Sequence, residues 1–129
     1  MRRSTFFLIT AIFAFIFAAT MLLVPASAAE GFGMVSTPET SLLFRSLGGM
    51  LLSAAILNFL VRNHPDSNTL KAILIFNISL NLLGMLSDVP GIMEGILPFS
   101  KAIPGHVVHL FIIVGSFIYL RKIKISAAA

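Results

Sequence analysis

Cysteine is absent from the 129-residue chain, which excludes disulfides, thiolate metal sites, covalent haem attachment and a thiol nucleophile. Charge is scarce as well. Charged residues make up 11% of the sequence, against roughly 25% in an ordinary soluble domain, and only five of them are acids. So few ionic groups exclude a water-solvated globular fold, and 57% of the residues are hydrophobic. No motif of catalysis, cofactor attachment or ion selectivity stands out. The net charge of +4 does not form a nucleic-acid patch, because the basic residues sit mostly beside the ends of apolar runs.

What the chain does have is four long apolar stretches separated by short polar breaks, each of about the 20 residues that cross a bilayer. The first, Thr5 to Val24, follows Met1-Arg2-Arg3 and ends at Pro25. A secretory signal peptide has the same layout, and Ala26-Ser27-Ala28 matches an A-x-A cleavage site. The apolar core exceeds the usual 7 to 15 residues of such a signal, which favours a retained span. A second span is expected over 38–61, opened by Thr37 as N-cap, Pro38 at the first helical position and Glu39 near the positive helix end. The break Arg62-Asn63-His64-Pro65-Asp66-Ser67-Asn68-Thr69 predicts a tight helical hairpin. A third span follows over 70–87, with Asp88-Val89-Pro90-Gly91 as its terminator, and a fourth over 104–120, closed by the basic run from Arg121 to Lys124. The largely apolar Gly91 to Phe99 segment predicts a short interfacial helix between the third and fourth spans, either a lid over a cavity or a plug on the bundle. The expected fold is thus all-α, a polytopic membrane four-helix bundle forming one transmembrane domain.

Orientation follows from the cations. Arg2, Arg3, Arg62, Lys71, Arg121, Lys122 and Lys124 fall on one side of a four-span arrangement, whereas the other has Lys101 and, inside the second span, Arg45. Glu30, Glu39, Asp88 and Glu94 lie on that second side. The positive-inside rule then places both termini and the middle loop in the cytoplasm, and the style of the N-terminus points to a bacterial inner membrane. Cleavage of the first span would leave three, with the new N-terminus outside.

Polar residues within the spans cost free energy unless they meet protein or water. Arg45 is expected either to snorkel to the interface or pair with Asp88, or else to face inward and bind an anionic group through its guanidinium. Arg45, Gly49 and Ser53 recur every fourth residue, and with Gly48 they predict a packing seam on the second helix. Asn77, Asn81, Gly84 and Asp88 form a stripe on the third, for interhelical hydrogen bonding or a polar pocket. His106 and His109 stand one turn apart on the fourth. They are candidates for a pocket with Arg45, Asn81 and Asp88; metal binding, haem ligation and proton exchange are lesser readings of the pair.

The run Leu43-Phe44-Arg45-Ser46-Leu47-Gly48-Gly49-Met50-Leu51-Leu52, the short basic loop, the Asn-bearing third span and a His near the fourth resemble the small four-helix proteins called DoxX-like. The resemblance spans about Ser41 to Leu120. It implies the fold; the residues themselves call for no cofactor, and a quinone enters only through the resemblance, because some such proteins are associated with quinone-linked electron transfer. Two functions remain in contention. The first, which asks least of the sequence and is the leading expectation, is a non-enzymatic accessory or scaffold subunit that associates with other membrane proteins or with itself through Gly48, Gly49, Asn77 and Asn81. The second binds or transports a lipid, quinone or small anionic molecule in an outward-facing pocket around Arg45. An enzyme ranks below both, because the candidate acids and bases have no nucleophile or metal constellation to work with.

Overall fold

A computed structural model describes residues 1–124. Among them there are five helices and no strand: α1 Arg3–Leu23, α2 Pro25–Gly31, α3 Pro38–Val61, α4 Asn68–Met93 and α5 Phe99–Leu120. Four of these, all but α2, are long and apolar enough to cross a membrane. The start of α3 is the one its sequence announces. Thr37 accepts a hydrogen bond from the Thr40 amide at 3.2 Å, while the Thr40 hydroxyl accepts one from the Thr37 amide at 2.8 Å, so two orphan amide groups are satisfied reciprocally. In the α3–α4 hairpin, Ser67 is the residue that caps, accepting from the Leu70 amide at 3.1 Å.

Two of the prolines read as boundaries, Pro90 and Pro104, lie inside helices, and this corrects the expected layout beyond residue 87. Helix α4 continues through Pro90, and α5 begins five residues before Pro104. A proline removes one i to i−4 hydrogen bond and crowds one carbonyl. Both sit near helix ends on exposed faces, so the cost stays local. The true stop is Gly95, at φ +74°. The Gly95 amide donates to the Ile92 carbonyl at 3.2 Å and the Ile96 amide to the Gly91 carbonyl at 2.9 Å, a Schellman closure that needs a left-handed residue and therefore favours glycine. Accordingly no separate helix stands between α4 and α5 among the described residues. The short additional helix is α2, between the first and second long helices.

Helix α1 packs along α3, and α4 along α5; α2 lies against α3, and α1 also touches α5. Small residues set the close approaches. A Cβ on Gly48 would stand 3.1 Å from the Ala18 carbonyl oxygen, and one on Gly115 only 2.2 Å from the Phe6 ring. Such narrow faces let dispersion contacts accumulate between helices, the main source of association when the surroundings are as apolar as the side chains. At the end holding the chain termini, Phe6, Phe7, Val61, Leu70, Ile73 and Leu74 form a buried cluster, with Tyr119 and Leu120 packed against it. At the other end Met21, Ala28, Ala29 and Phe44 form a second, supported by Phe32 and Leu51.

One carboxylate ties the first end together. Asp66 in the α3–α4 hairpin pairs with the Arg3 guanidinium and accepts from the Lys124 amide at 3.0 Å. Arg3 also donates to the His64 carbonyl at 2.8 Å, and Tyr119 donates to the Met1 carbonyl at 2.7 Å. The Lys124 amide first, and then Arg3, hold the Asp66 carboxyl below the usual aspartate range, because both contacts favour its ionised form.

Candidate binding site

A line of polar side chains runs along the inner face of α4. Asn77 is fully buried and exchanges two hydrogen bonds with Asn58 of α3, one of 2.8 Å and one of 3.2 Å. Asn58 also donates to the Ala54 carbonyl at 2.8 Å. One turn further along α4, the Asn81 amide donates to the Asn77 carbonyl at 2.7 Å. This bond orients the Asn81 side chain, so its oxygen faces the His109 Nδ1 at 2.8 Å. An amide oxygen only accepts, which makes Nδ1 the protonated nitrogen and leaves Nε2 of a neutral His109 as an acceptor. Gly84 makes room for that ring, since a Cβ there would lie 3.4 Å from it. Two turns beyond Asn81, Asp88 meets the Nε2 of His106 at 3.1 Å.

Of these, Asn58, Asn77, Asn81, Asp88 and His109 line a cavity of about 120 Å³ between the two helix pairs. The opposite wall is apolar, built from Phe13, Ala14, Phe17 and Met21 of α1, with Phe32 and Leu51 beside it. Depth grades along it: Asp88 is 30% exposed at one end, whereas Asn58 and Asn77 are buried at the other. Beyond the asparagines lies the Phe6, Phe7, Leu70 and Leu74 cluster. Thr10 also lines the cavity, and its buried hydroxyl has no hydrogen-bond partner among the described residues. A guest that gives this hydroxyl a hydrogen bond removes a penalty of about 1–3 kcal/mol.

The structure brings together four of the five residues singled out as candidate ligand contacts: Asn81, Asp88 and His109 line the cavity, and His106 holds Asp88. Arg45 is elsewhere. It is exposed on the outer face of α3 and makes no ion pair with Asp88. Ser53 is exposed beside it and Gly49 has nothing within 4 Å of an added Cβ, so the expected Arg45, Gly49 and Ser53 seam is not an intramolecular one. The buried face of α3 is Phe44, Gly48, Ala54, Ala55 and Asn58, rotated by about one residue, or 100°, from the expected stripe. Asn77 and Gly84 do face protein, as their spacing implies. Asn58 and Thr10 escaped the sequence reading, Asn58 because it lies close to the polar hairpin and Thr10 because a threonine in an apolar helix usually bonds to its own backbone.

Among the described residues, no group of three His, Asp or Glu side chains is arranged to hold a metal ion. The architecture of the described residues is all-helical, with four helices long and apolar enough for a multi-pass membrane protein and a partly polar cavity between the helix pairs. No family model, curated protein or solved structure matches the chain.

Proposed function

We propose that the chain is a multi-pass protein of the cell membrane that binds a small amphipathic molecule in the cavity between its helix pairs, without catalysing a reaction on it. The observation that carries this reading is the two-sided lining: phenylalanines and Met21 on one wall, and Asn81, Asp88 and His109 on the other. The Asn81–His109 and Asp88–His106 contacts link α4 to α5, but the buried Thr10 hydroxyl facing the same space has no partner among the described residues, a capacity that a polar guest would use. The seal formed by Phe6, Phe7, Leu70 and Leu74 makes the site one-sided, which favours binding over conduction. Because Arg45 stands outside, the anionic ligand expected from sequence is the weakest fit. A quinone, the molecule implied by the DoxX-like resemblance, remains a probe to include.

The outward belt of large apolar side chains, among them Leu42, Leu60, Leu83 and Val107, supports placement in a bilayer. Asp66 ties both terminal segments to the hairpin at one end, where Arg2, Arg62, Lys71, Arg121 and Lys122 also fall, so the positive-inside rule puts that end in the cytoplasm. Retention of the first span is supported by Phe6, Phe7 and Ala18, each fully buried; a bundle without α1 would lose one wall of the cavity. The accessory or scaffold reading expected association through Gly48, Gly49, Asn77 and Asn81, of which Gly48, Asn77 and Asn81 are buried within the bundle; the surface left to it is the stripe of Arg45, Gly49 and Ser53, which a helix of another membrane protein or a second copy would cover.

Native mass spectrometry of the gently extracted protein separates these readings. A stoichiometric small-molecule adduct that is lost in Asn81→Leu and His109→Leu, with helicity intact, supports the cavity. A homo-oligomer or a second protein without small molecules, disrupted by Gly49→Leu, supports the scaffold instead.

A further inference from the structure

We propose that the cavity selects a small organic cation, an ammonium group carrying apolar substituents; this rests on the cavity being a binding site. Among the described residues Asp88 is the one carboxylate that lines it, with no lysine or arginine beside it, and the expected counter-cation, Arg45, is exposed on the outside of α3. His106 contacts one carboxylate oxygen of Asp88, Oδ2, at 3.1 Å. The contact is to Oδ2 alone, so Oδ1 has no hydrogen-bond partner among the described residues. His109 spends its Nδ1 proton on Asn81 and presents Nε2 as an acceptor, while Asn81 spends an amide proton on the Asn77 carbonyl.

The site is therefore rich in acceptors, with a carboxylate and no lysine or arginine among its lining residues, which penalises an anion and rewards a cation or a hydrogen-bond donor. The apolar wall adds to this preference. Phe13, Phe17 and Phe32 line the same space as Asp88, and aromatic faces attract cations while also packing against alkyl substituents. A carboxylate together with several phenylalanine rings suits an alkylated ammonium better than a bare metal ion, which would demand several hard oxygen ligands. The volume of about 120 Å³ limits the guest to a compact head group. A hydroxyl on it would find an acceptor in His109 Nε2.

Choline and its uncharged carbon isostere, 3,3-dimethyl-1-butanol, differ in charge at constant shape, and butyrate supplies an anion. Their binding to the full chain in detergent or nanodiscs is measured by titration calorimetry. Choline is expected to bind about tenfold or more tighter than the isostere, and butyrate more weakly than either. Asp88→Asn is expected to remove the difference between choline and the isostere, and Phe17→Ala to weaken choline while Asp88 is intact. Circular dichroism checks the fold of both variants. Equal binding of choline and the isostere by the wild type would overturn the cation preference and leave the cavity reading standing. Tighter butyrate would overturn the preference in the same way. Binding of none of the three, with the fold intact, would overturn the cation preference together with the cavity reading.

Discussion

Asn58 and Asn77 exchange two hydrogen bonds across α3 and α4 while both are buried, which makes this pair the polar clasp between the two halves of the bundle. Each half is a close-packed helix pair, α1 with α3 and α4 with α5. The clasp holds the cavity-bearing interface between them.

Replacing one member leaves the other amide buried and unpaired. Polar pairs between membrane helices contribute on average about 0.6 kcal/mol, but an orphaned buried amide costs about 1–3 kcal/mol. The single variants Asn58→Leu and Asn77→Leu are therefore expected to lose about 1–2 kcal/mol. The double variant should lose less than the sum, as read from unfolding in mixed micelles. Strict additivity would mean that the two side chains do not act as a pair.

Adjacent glycines on α3 should respond in opposite directions. An added methyl at Gly48 meets Leu22, the Met21 Cβ and the Ala18 carbonyl, whereas at Gly49 it meets nothing within 4 Å. Gly48→Ala is expected to destabilise by about 1–3 kcal/mol through overpacking. Gly49→Ala should be neutral or gain up to about 1 kcal/mol from helix propensity. Comparable losses in both would restore the seam expected from sequence.

Acid should loosen the end that holds the α3–α4 hairpin first. Asp66 ionises more readily in the folded chain than at the ordinary value of 3.8. Its contribution is thus fully present above that value and is lost as pH falls through the lower folded one. Wild-type thermal stability should decline below about pH 4, and the decline should be shallower in Asp66→Asn. Identical pH profiles for the two proteins would remove Asp66 from the account.

Topology reporters fused after Ser67 and at the C-terminus should both read cytoplasmic. An external signal from either would contradict the orientation taken from the cations.

Arg45→Ala should leave the cavity ligand bound with affinity changed by no more than about twofold, as expected for a site without shared partners. A loss of binding would return Arg45 to the pocket from which its exposed position on α3 removes it.

The fourth-span histidines show how far the sequence could be read. That His106 and His109 share a face with each other, and Asn77, Asn81 and Asp88 with one another, follows from helical spacing. That His109 meets Asn81 and His106 meets Asp88 does not, because spacing within a helix carries no information on its register against a neighbour. The α3 face illustrates the same gap. In a helix that is apolar around most of its circumference, lipid and protein make similar demands on side chains, so the sequence pattern cannot choose between Gly48 and Gly49.

By itself the sequence determined the number of long helices, the limits of the second, the position of the hairpin and the segregation of positive charge. These follow from local physics: run length against bilayer thickness, capping chemistry and the cost of burying charge. Only the tertiary structure decided which helices pair, that Pro90 and Pro104 lie within helices, that Arg45 points away and that Asn58 joins Asn77. Those outcomes depend on steric fit and hydrogen-bond partners far apart in the chain, such as Gly115 against Phe6 and Asp66 between Arg3 and Lys124.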